Sequence, residues 1–360
     1  MREKRSDRVV EILERLGLHA CVIRGMENIF YLTGFRGSEG TVLVTRGDVV
    51  LMVDGRYITY AQEAAKGCVV VEVKGANHPL DGLFRQYGVT KAGFDSLQTT
   101  YHVYQSWKEA SPGVELVPLG NDIESIRVCK EPEEIAVMRE AVRIATDAFS
   151  AVLGEIEPGR TEIEIANELE CMMRRLGAEG PSFETIVASG PRAAMPHGHA
   201  TAKKLEAGET VVIDFGCRVD GYCSDETCTV ALGDPGRQMR EVHEVVFGAK
   251  QKGIASVRAG MPVRELDMIV RGFIEEKGYG EYFSHGTGHG VGIAVHEPPA
   301  VTARSEGILE ESMVVTVEPG VYIPHVGGVR LEDMVLVREN GGEVLTHLRK
   351  DLIQTGGGLP

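Results

Sequence analysis

The segment VVIDFGCRVDGYCSDET, residues 211–227, decides how this chain folds at its centre. A β-branched run ends at Asp214, the dipeptide Asp220-Gly221 is a hairpin signal, and Asp225 lies on the returning segment. An antiparallel hairpin places cross-strand neighbours on the same face of a sheet. The segment therefore predicts two carboxylates that share one face, rather than two aspartates that cap turns.

Three other distinctive segments carry candidate ligands. His289 lies in GTGHGVG, Glu318 in VTVEPG and Glu332 in GVRLED. Four carboxylates around one point repel each other, and burying unpaired charge is costly, so cations are expected to compensate them. Oxygen ligands with one imidazole suit Mn²⁺, Co²⁺, Fe²⁺ or Zn²⁺, and two such ions that share carboxylates can activate water at neutral pH. Together with the two aspartates, these residues predict a two-metal hydrolase.

Composition bounds the class of protein. The chain has 360 residues, 43% hydrophobic and 25% charged, which is typical of two globular domains. The net charge of −15 argues against nucleic acid or an anionic membrane as a partner, because both require a basic face. No apolar run has the length of a transmembrane helix, and the charged start lacks the core of a signal peptide, so we expect a cytoplasmic protein. The glycine-rich run around His289 lacks the features of a nucleotide-binding loop, so no organic cofactor is expected.

Seven cysteines occur without a CxxC pair, and Cys217, Cys223 and Cys228 cluster near the aspartates. They could be a thiolate ligand set or a redox switch. The general burial of free cysteine favours small buried thiols instead.

Residues 1–123 predict a small α/β domain in which helices cover a mixed sheet. The five runs that are typical of strands are Ala20–Arg24, Thr41–Thr45, Val49–Val53, Val69–Val73 and Val114–Leu119. A helical stretch, Tyr57–Ala65, lies between two of them.

Residues 124–357 form the second predicted domain, which opens with two helices. Pro132 suits the first position of the first helix. Thr161 and Glu164 form a capping box for the second, which ends at Gly177.

The second domain also contains a repeat. Residues 157–177 align with residues 258–278 at an offset of 101, and a strand that ends in a candidate ligand follows each, at Asp214 and at Glu318. We interpret this as an internal duplication rather than a chance similarity of two amphipathic helices. A duplication would place the metals on a pseudo-twofold axis.

The five candidate ligands resemble, in order, spacing and flanking residues, those of the pita-bread metallopeptidases that act on Xaa-Pro bonds. These are Xaa-Pro aminopeptidase and Xaa-Pro dipeptidase (prolidase). The aspartates lie 11 residues apart, the histidine 29 before the first glutamate and the glutamates 14 apart. The resemblance is strong over residues 124–357 and looser over the front domain. It implies an α+β protein, in which a creatinase/prolidase-like α/β domain precedes a duplicated, pseudo-twofold catalytic domain.

The resemblance also implies site roles. Asp214 would bind one metal, His289 and Glu318 the other, and Asp225 and Glu332 would bridge both. The two ions are expected to be Mn²⁺ or Co²⁺, with Zn²⁺ or Fe²⁺ as alternatives. The residues implied to act on the substrate are His197, His285, His296 and Glu318. Histidine suits the transfer of protons near neutral pH, His296 would stabilise the oxyanion, and Glu318 would take the proton of the attacking water.

Other positions carry weaker expectations. His199 and His325 have no support from the resemblance, and ordinary structural roles are expected for them. Thr227-Cys228-Thr229 departs from the Thr-Arg-Thr that is frequent in the family, which leaves no arginine at that position. Arg330 could instead pair with a ligand carboxylate.

The choice between dipeptidase and aminopeptidase depends on one position. A dipeptidase must neutralise the carboxylate of its substrate, usually with an arginine. In prolidases of this type an arginine follows the VHE-x-P segment, where this chain has Ala300, with Arg304 nearby. We therefore predict an Xaa-Pro aminopeptidase or broad Xaa-Pro peptidase that acts on small peptides with proline second. The alternative is an Xaa-Pro dipeptidase. A homodimer is expected, in which the partner's front domain excludes long peptides.

Two remoter alternatives remain. A methionine aminopeptidase would share the five ligands but needs neither the front domain nor the HEPP segment. A non-enzymatic pita-bread binding module, or a metal-free creatine-type hydrolase, would have lost ligands that this chain retains.

Overall fold

In the computed structural model, the described residues are 5–74 and 79–355, and they fall into two compact units, Met1–Arg127 and Val128–Pro360. The division predicted after residue 123 stays a prediction. Residues 356 and 357 of the predicted second domain lie outside the described residues, as do residues 1–4 and 75–78 of the first.

The first unit contains a six-stranded mixed sheet in the order β4-β3-β2-β1-β5-β6. Strand β2 pairs antiparallel with β1 and β3, and the other pairs are parallel. The strands are β1 Ala20–Ile23, β2 Thr41–Thr45, β3 Val49–Asp54, β4 Val69–Val73, β5 Lys91–Phe94 and β6 Glu115–Pro118. The helices are α1 Arg5–Leu16, α2 Met26–Thr33, α3 Ile58–Ala64, α4 Leu80–Gln86 and α5 Tyr101–Ala110, followed by 3₁₀ turns at Gly120–Asp122 and Glu124–Arg127.

Strand β5 is the strand of this unit that the sequence did not predict. Its sequence, KAGF, is short and contains glycine, which is depleted in strands. The structure explains Gly93, because a Cβ there would lie 2.6 Å from the Leu119 side chain and 2.9 Å from that of Leu18. Close packing at this interior strand therefore requires a residue that the strand pattern disfavours.

The second unit consists of two halves, each of which places a pair of helices before a set of strands. Each half begins with a 21-residue helix and a 14-residue helix, α6 Pro132–Val152 with α7 Glu162–Arg175, and α8 Gly236–Ser256 with α9 Val263–Glu276. Pro132 occupies the first turn of α6, and Thr161 and Glu164 form the predicted capping box of α7.

An antiparallel sheet follows each helix pair. In the first half the order is β20-β12-β9-β8, where only β20 runs parallel to its neighbour, and in the second it is β14-β13-β15-β18-β19. The first-half strands are β7 Gly180–Pro181, β8 Ile186–Ser189, β9 Thr210–Phe215, β10 Cys217–Val219, β11 Tyr222–Cys223 and β12 Glu226–Leu232, with β20 Ile353–Thr355 from the chain's end. The second-half strands are β13 Gly288–Gly290, β14 Glu297–Val301, β15 Val314–Val317, β16 Gly320–Ile323, β17 Gly327–Arg330, β18 Asp333–Arg338 and β19 Gly341–Val344. Single 3₁₀ turns span Leu153–Glu155, Gly190–Ala194 and Gly280–Tyr282.

Each half has its own apolar core between its helices and its sheet, and strand alternation decides which residues enter it. In β9, Val211, Ile213 and Phe215 belong to the first core, so Asp214 points to the other face. In β15, Val315 and Val317 belong to the second core, which leaves Thr316 and the following Glu318 on the other face. The candidate ligands thus lie on the sheet faces that the helices do not cover. Among the described residues, no helix is both long and apolar enough to span a membrane.

Candidate metal centre

The hairpin that the sequence predicted around the two aspartates is present. Asp220 and Gly221 have φ values of 45° and 80°, as a two-residue type I′ turn requires. Strands β9 and β12 pair with Asp214 opposite Thr227. Asp225 lies two residues before Thr227, so both carboxylates share one face.

Asp214 has one engaged and one unengaged carboxylate oxygen. Arg330 donates from Nη2 to Oδ2 at 2.6 Å, whereas Oδ1 is buried and has no hydrogen-bond partner in the described part of the chain. A buried oxygen without a partner is destabilising. A cation at this oxygen would remove the cost, so Asp214 fits the role of a metal ligand.

Asp225, His289 and Glu332 come closest together, since one ligand atom from each lies within 4.8 Å of the others. Burial, together with the charges of Glu332, Asp214 and Glu318, raises the pKa of Asp225 well above its usual value. Burial and the charges of Glu318 and Asp214 raise that of Glu332 in the same way. Without a cation, both carboxyl groups therefore tend to stay protonated. A divalent ion between them would favour their charged forms.

His289 and Glu318 form a pair beside this trio. The imidazole Nε2 lies 3.3 Å from Oε1 of Glu318 and 3.6 Å from Oδ2 of Asp225. Burial opposes charge on both members of the pair. The hydrogen bond and attraction between them nevertheless lower the pKa of Glu318 to about 2 and raise the pKa of His289. Nδ1 of His289 lies 3.0 Å from the carbonyl oxygen of Gly290, which can only accept, so Nδ1 donates to it. In the protonated imidazole Nε2 donates to Glu318, and the loss of that proton would leave Nε2 available as a metal ligand.

Threonine hydroxyls orient two of the candidate ligands. Thr227 donates to Oε2 of Glu332 at 2.6 Å, and Thr316 donates to Oε1 of Glu318 at 3.2 Å. Cys228, between Thr227 and Thr229, points into the apolar core of the first half. The unusual residue in the Thr-Cys-Thr segment is thus a core residue, and its threonine neighbour carries the contact with the site.

The three clustered cysteines are buried thiols. Burial raises the pKa of Cys228 to about 12 and of Cys217 to about 11, and it raises the pKa of Cys223 as well. Thiols of this kind stay protonated at neutral pH, which makes them poor nucleophiles and poor metal ligands. Within the described residues, the group of candidate ligand atoms contains none of them.

Tyr322 is a site residue that was not predicted from the sequence. Its hydroxyl accepts from Nη1 of Arg330 at 3.0 Å and lies 2.9 Å from Nε2 of His285. Burial raises the pKa of Tyr322 to about 12. The hydroxyl therefore stays protonated and donates a hydrogen bond to Nε2 of His285. No motif marks this tyrosine, because its partners come from other strands and loops.

His285 lines the cavity of the site, but both its ring nitrogens are engaged. Nδ1 donates to the carbonyl oxygen of Gly286 at 2.8 Å, and Nε2 accepts from Tyr322. Burial lowers the pKa of this imidazole. The structure therefore places His285 in the network that holds Arg330, and its expected contact with substrate stays a prediction.

A cavity of about 390 Å³ contains the candidate site. Its lining includes all five predicted ligands and His197, His285 and His296, with apolar walls from Phe183, Ile186, Pro196 and Val295. The ring centroids of His296 and His289 lie 4.2 Å apart. Burial and the nearby His289 lower the pKa of His296, which keeps this imidazole neutral and able to donate one hydrogen bond.

His199, for which we expected an ordinary structural role, also lines this cavity, and its Nδ1 lies 3.1 Å from Oε2 of Glu184. His325, by contrast, lies exposed in the turn between β16 and β17, with a φ of 64°. The spacing of His199 from the other histidines gave no signal of its position.

The position that distinguishes dipeptidase from aminopeptidase lies at the site. Ala300 in β14 pairs with His289 in β13, and cross-strand partners project from the same face. Arg304 is exposed, and its guanidinium makes no ion pair within the described residues. Its backbone nitrogen contacts Thr302, which lines the cavity.

Known proteins match this chain along nearly its whole length. Residues 136–339 match metallopeptidase family M24, and residues 5–129 match the creatinase/prolidase N-terminal domain. The Xaa-Pro dipeptidase of Pyrococcus furiosus is 36% identical over 98% of this chain and 100% of its own length. An Xaa-Pro dipeptidase structure from Bacillus anthracis is 40% identical with a TM-score of 0.93, covering 97% of this chain and 99% of that one.

A third protein has a different activity in its name. The X-Pro aminopeptidase of Thermotoga maritima is 36% identical, with a TM-score of 0.87, and covers 95% of this chain and 99% of its own. The three relatives cover at least 95% of this chain, and the family match over residues 136–339 spans the positions of all five candidate ligands. The chain belongs to metallopeptidase family M24, with a creatinase/prolidase N-terminal domain in front of a pita-bread catalytic domain.

Proposed function

We propose that this protein is a dinuclear-metal exopeptidase that hydrolyses the Xaa-Pro bond and prefers Xaa-Pro dipeptides. The observation that carries the proposal is that four carboxylates and one imidazole, from both halves of the second unit, line one cavity. The dipeptidases at 36% and 40% identity favour this substrate over the longer peptides that Ala300 led us to predict.

Two divalent ions, Mn²⁺ or Co²⁺ with Zn²⁺ or Fe²⁺ as alternatives, would be held by Asp214, Asp225, His289, Glu318 and Glu332. When bound, such ions polarise a scissile carbonyl and lower the pKa of water. The free Oδ1 of Asp214 and the raised pKa values of Asp225 and Glu332 support this assignment. We assign the bridging positions to Asp225 and Glu332.

The protein side chains would complete the reaction. His296 is neutral and adjacent to His289, where its N–H can stabilise the oxyanion that develops on the carbonyl. Glu318 would take the proton of the attacking water and deliver it to the proline nitrogen, which leaves as an amine. His197, which is exposed on the cavity wall, is assigned to hold the substrate.

The size and charge of the cavity support exopeptidase action. About 390 Å³ is at the small end of ligand pockets, which are roughly 300–1,000 Å³. The carboxylates around it would attract the free α-amino group that only a chain end provides. We further propose a homodimer in which the partner's front domain limits peptide length.

A second candidate, Xaa-Pro aminopeptidase, is favoured by two observations. Ala300 lies opposite His289 and presents no charge to a substrate carboxylate. The Thermotoga maritima relative is an X-Pro aminopeptidase at 36% identity.

Three peptides distinguish the candidates. The purified protein, loaded with Mn²⁺ or Co²⁺, is assayed against Ala-Pro, Ala-Pro-Ala and Met-Ala-Ser. We expect kcat/KM for Ala-Pro to exceed that for Ala-Pro-Ala by about tenfold, the value of one charge-assisted hydrogen bond. An equal or higher value for Ala-Pro-Ala would establish the aminopeptidase, and rapid cleavage of Met-Ala-Ser would overturn the Xaa-Pro assignment.

A further inference from the structure

Behind the candidate bridging carboxylates lie four buried charges, which we call the rear cluster: Glu226, Lys250, Asp333 and Lys350. Their side chains are between 1% and 5% exposed. The proposed reaction uses none of them. Burying charged side chains costs free energy even when they are paired, so a cluster of four suggests a role beyond stability.

The rear cluster is directly connected to the proposed bridges through the backbone. Glu226 follows Asp225 in the sequence, and Asp333 follows Glu332. Successive residues of an extended chain point to opposite faces. Each bridging carboxylate thus faces the cavity while its neighbour faces the rear cluster.

The segment from Thr346 to Lys350 supplies donors to both rear carboxylates. Lys350 Nζ donates to Oε1 of Glu226 at 2.5 Å and lies 3.7 Å from Oδ1 of Asp333. Thr346 donates to Oδ1 of Asp333 at 2.6 Å, and the backbone nitrogen of Leu348 donates to Oε1 of Glu226 at 3.3 Å. Both carboxylates are therefore held by one short stretch of chain.

One strand pairing fixes this stretch to the body of the unit, and a further contact holds Asp333 itself. Strand β20, which follows Lys350, pairs with β12 from Val230 to Leu232. Lys250 of α8 donates to Oδ2 of Asp333 from the other side. Because Glu226 opens β12 in the first half and Asp333 opens β18 in the second, Lys350 links the two halves where their ligands meet.

We propose that the rear cluster positions Asp225 and Glu332 for metal binding, with Lys350 as the positioning residue that links the two halves. The distance between the starts of β12 and β18 sets the distance between the two carboxylates. Holding both strands from behind keeps that distance fixed before an ion binds, so less reorganisation accompanies binding. This inference rests on the proposed metal centre.

The test removes a pair of charges without leaving one unpaired. Lys350→Met combined with Glu226→Gln keeps the side-chain sizes and leaves no isolated buried charge, so the fold is expected to survive. Isothermal titration of the metal-free protein with Mn²⁺ should show affinity about 10- to 100-fold weaker than in the wild type, the usual loss when a partner behind a ligand is removed. Circular dichroism of the metal-free protein should show an unchanged melting temperature.

The matched control is Lys203→Met with Glu209→Gln, a partly buried ion pair of the same unit that adjoins no candidate ligand. It should bind Mn²⁺ like the wild type. Wild-type affinity in the rear-cluster variant would overturn the inference and leave the metal centre intact. A wild-type protein that binds none of Mn²⁺, Co²⁺, Zn²⁺ and Fe²⁺ would overturn the metal centre itself, and the inference with it.

A milder variant guards against misfolding. Thr346→Val keeps the shape of the side chain and removes only the hydrogen bond to Asp333. It should fold normally and bind Mn²⁺ about tenfold more weakly than the wild type. If the double variant fails to fold, wild-type Mn²⁺ affinity in the Thr346 variant would refute the positioning role.

Discussion

Arg330 holds one oxygen of Asp214 at 2.6 Å and leaves the other, Oδ1, buried without a partner in the described chain. The guanidinium also donates to the Tyr322 hydroxyl and to the Pro196 carbonyl oxygen, so its orientation is fixed from three sides. A carboxylate fixed through one oxygen presents the other in a constant direction. The arrangement suits a metal ligand better than a simple buried ion pair.

Metal binding should depend on the proposed bridges. Asp225→Asn or Glu332→Gln replaces a bridging carboxylate by a neutral amide, and either variant should lose most of its bound metal and activity. Elemental analysis of the purified variants measures this, with the exposed turn variant Asp220→Asn as the control. Two full equivalents of metal in both bridging variants would contradict the assignment.

Transition-state stabilisation should depend on His296. His296→Ala removes the proposed N–H donor to the oxyanion, so kcat on Ala-Pro should fall by about 10²- to 10³-fold while metal content stays constant. His325→Ala, in an exposed turn, is the control and should keep its kcat. An unchanged kcat in the His296 variant would transfer the role to another residue, first of all His197.

The stability of the second unit should depend on Tyr322. Tyr322→Phe removes the hydroxyl that Arg330 and His285 contact, and leaving buried polar atoms unpaired costs about 1–3 kcal/mol of unfolding free energy. Urea unfolding of the metal-free protein should be followed by circular dichroism, because the only tryptophan, Trp107, lies in the first unit. Tyr60→Phe at an exposed position is the control. Equal losses in both variants would show that the network contributes nothing.

Recognition of a dipeptide's carboxylate should involve Arg304. Arg304→Ala should lower kcat/KM for Ala-Pro about tenfold, the loss of one charge-assisted hydrogen bond, and should leave Ala-Pro amide, which has no carboxylate, unaffected. Ala300→Arg in the same protein should restore the preference for Ala-Pro, because it places a guanidinium beside His289. If the wild type cleaves Ala-Pro and its amide equally well, no residue of the site recognises the carboxylate.

The stability of the protein in acid should depend on His243. Burial lowers the pKa of this imidazole to about 4. The charge of Lys250 lowers the pKa further, whereas the charge of Asp351 partly opposes the shift. The unfolded chain, whose histidines have a pKa of about 6.5, binds the proton first, so stability falls as the pH drops from 6.5 towards 4. Protonation of His243 should therefore lower the free energy of unfolding by about 2 kcal/mol between pH 7 and pH 5.

His243→Phe tests this dependence. The variant lacks the titrating group, so its loss of unfolding free energy between pH 7 and pH 5 should be about 2 kcal/mol smaller than in the wild type. Urea unfolding at both values, with the metal-free protein, gives the comparison, and acidic groups common to both proteins cancel. Identical losses would show that His243 is protonated in the folded protein.

The sequence by itself determined much of the candidate site, because the chemistry of a metal ligand restricts both the residue and its neighbours. Asp214, Asp225 and the turn between them could be predicted from local pattern, since a type I′ turn and strand alternation act over a few residues. The helix starts at Pro132 and Thr161 were predictable for the same reason. A repeat offset of 101 residues likewise indicated the two halves.

Only the tertiary structure decided which groups hold those ligands. Arg330 and Asp214 are 116 residues apart, and Lys350 and Glu226 are 124 apart. Tyr322 looks like an ordinary strand residue until the fold brings His285 to it. Hydrogen bonds between distant segments depend on how sheets and helices pack, and periodicity along the chain carries no information about that packing. Local pattern therefore identified the candidate ligands, and packing determined their partners.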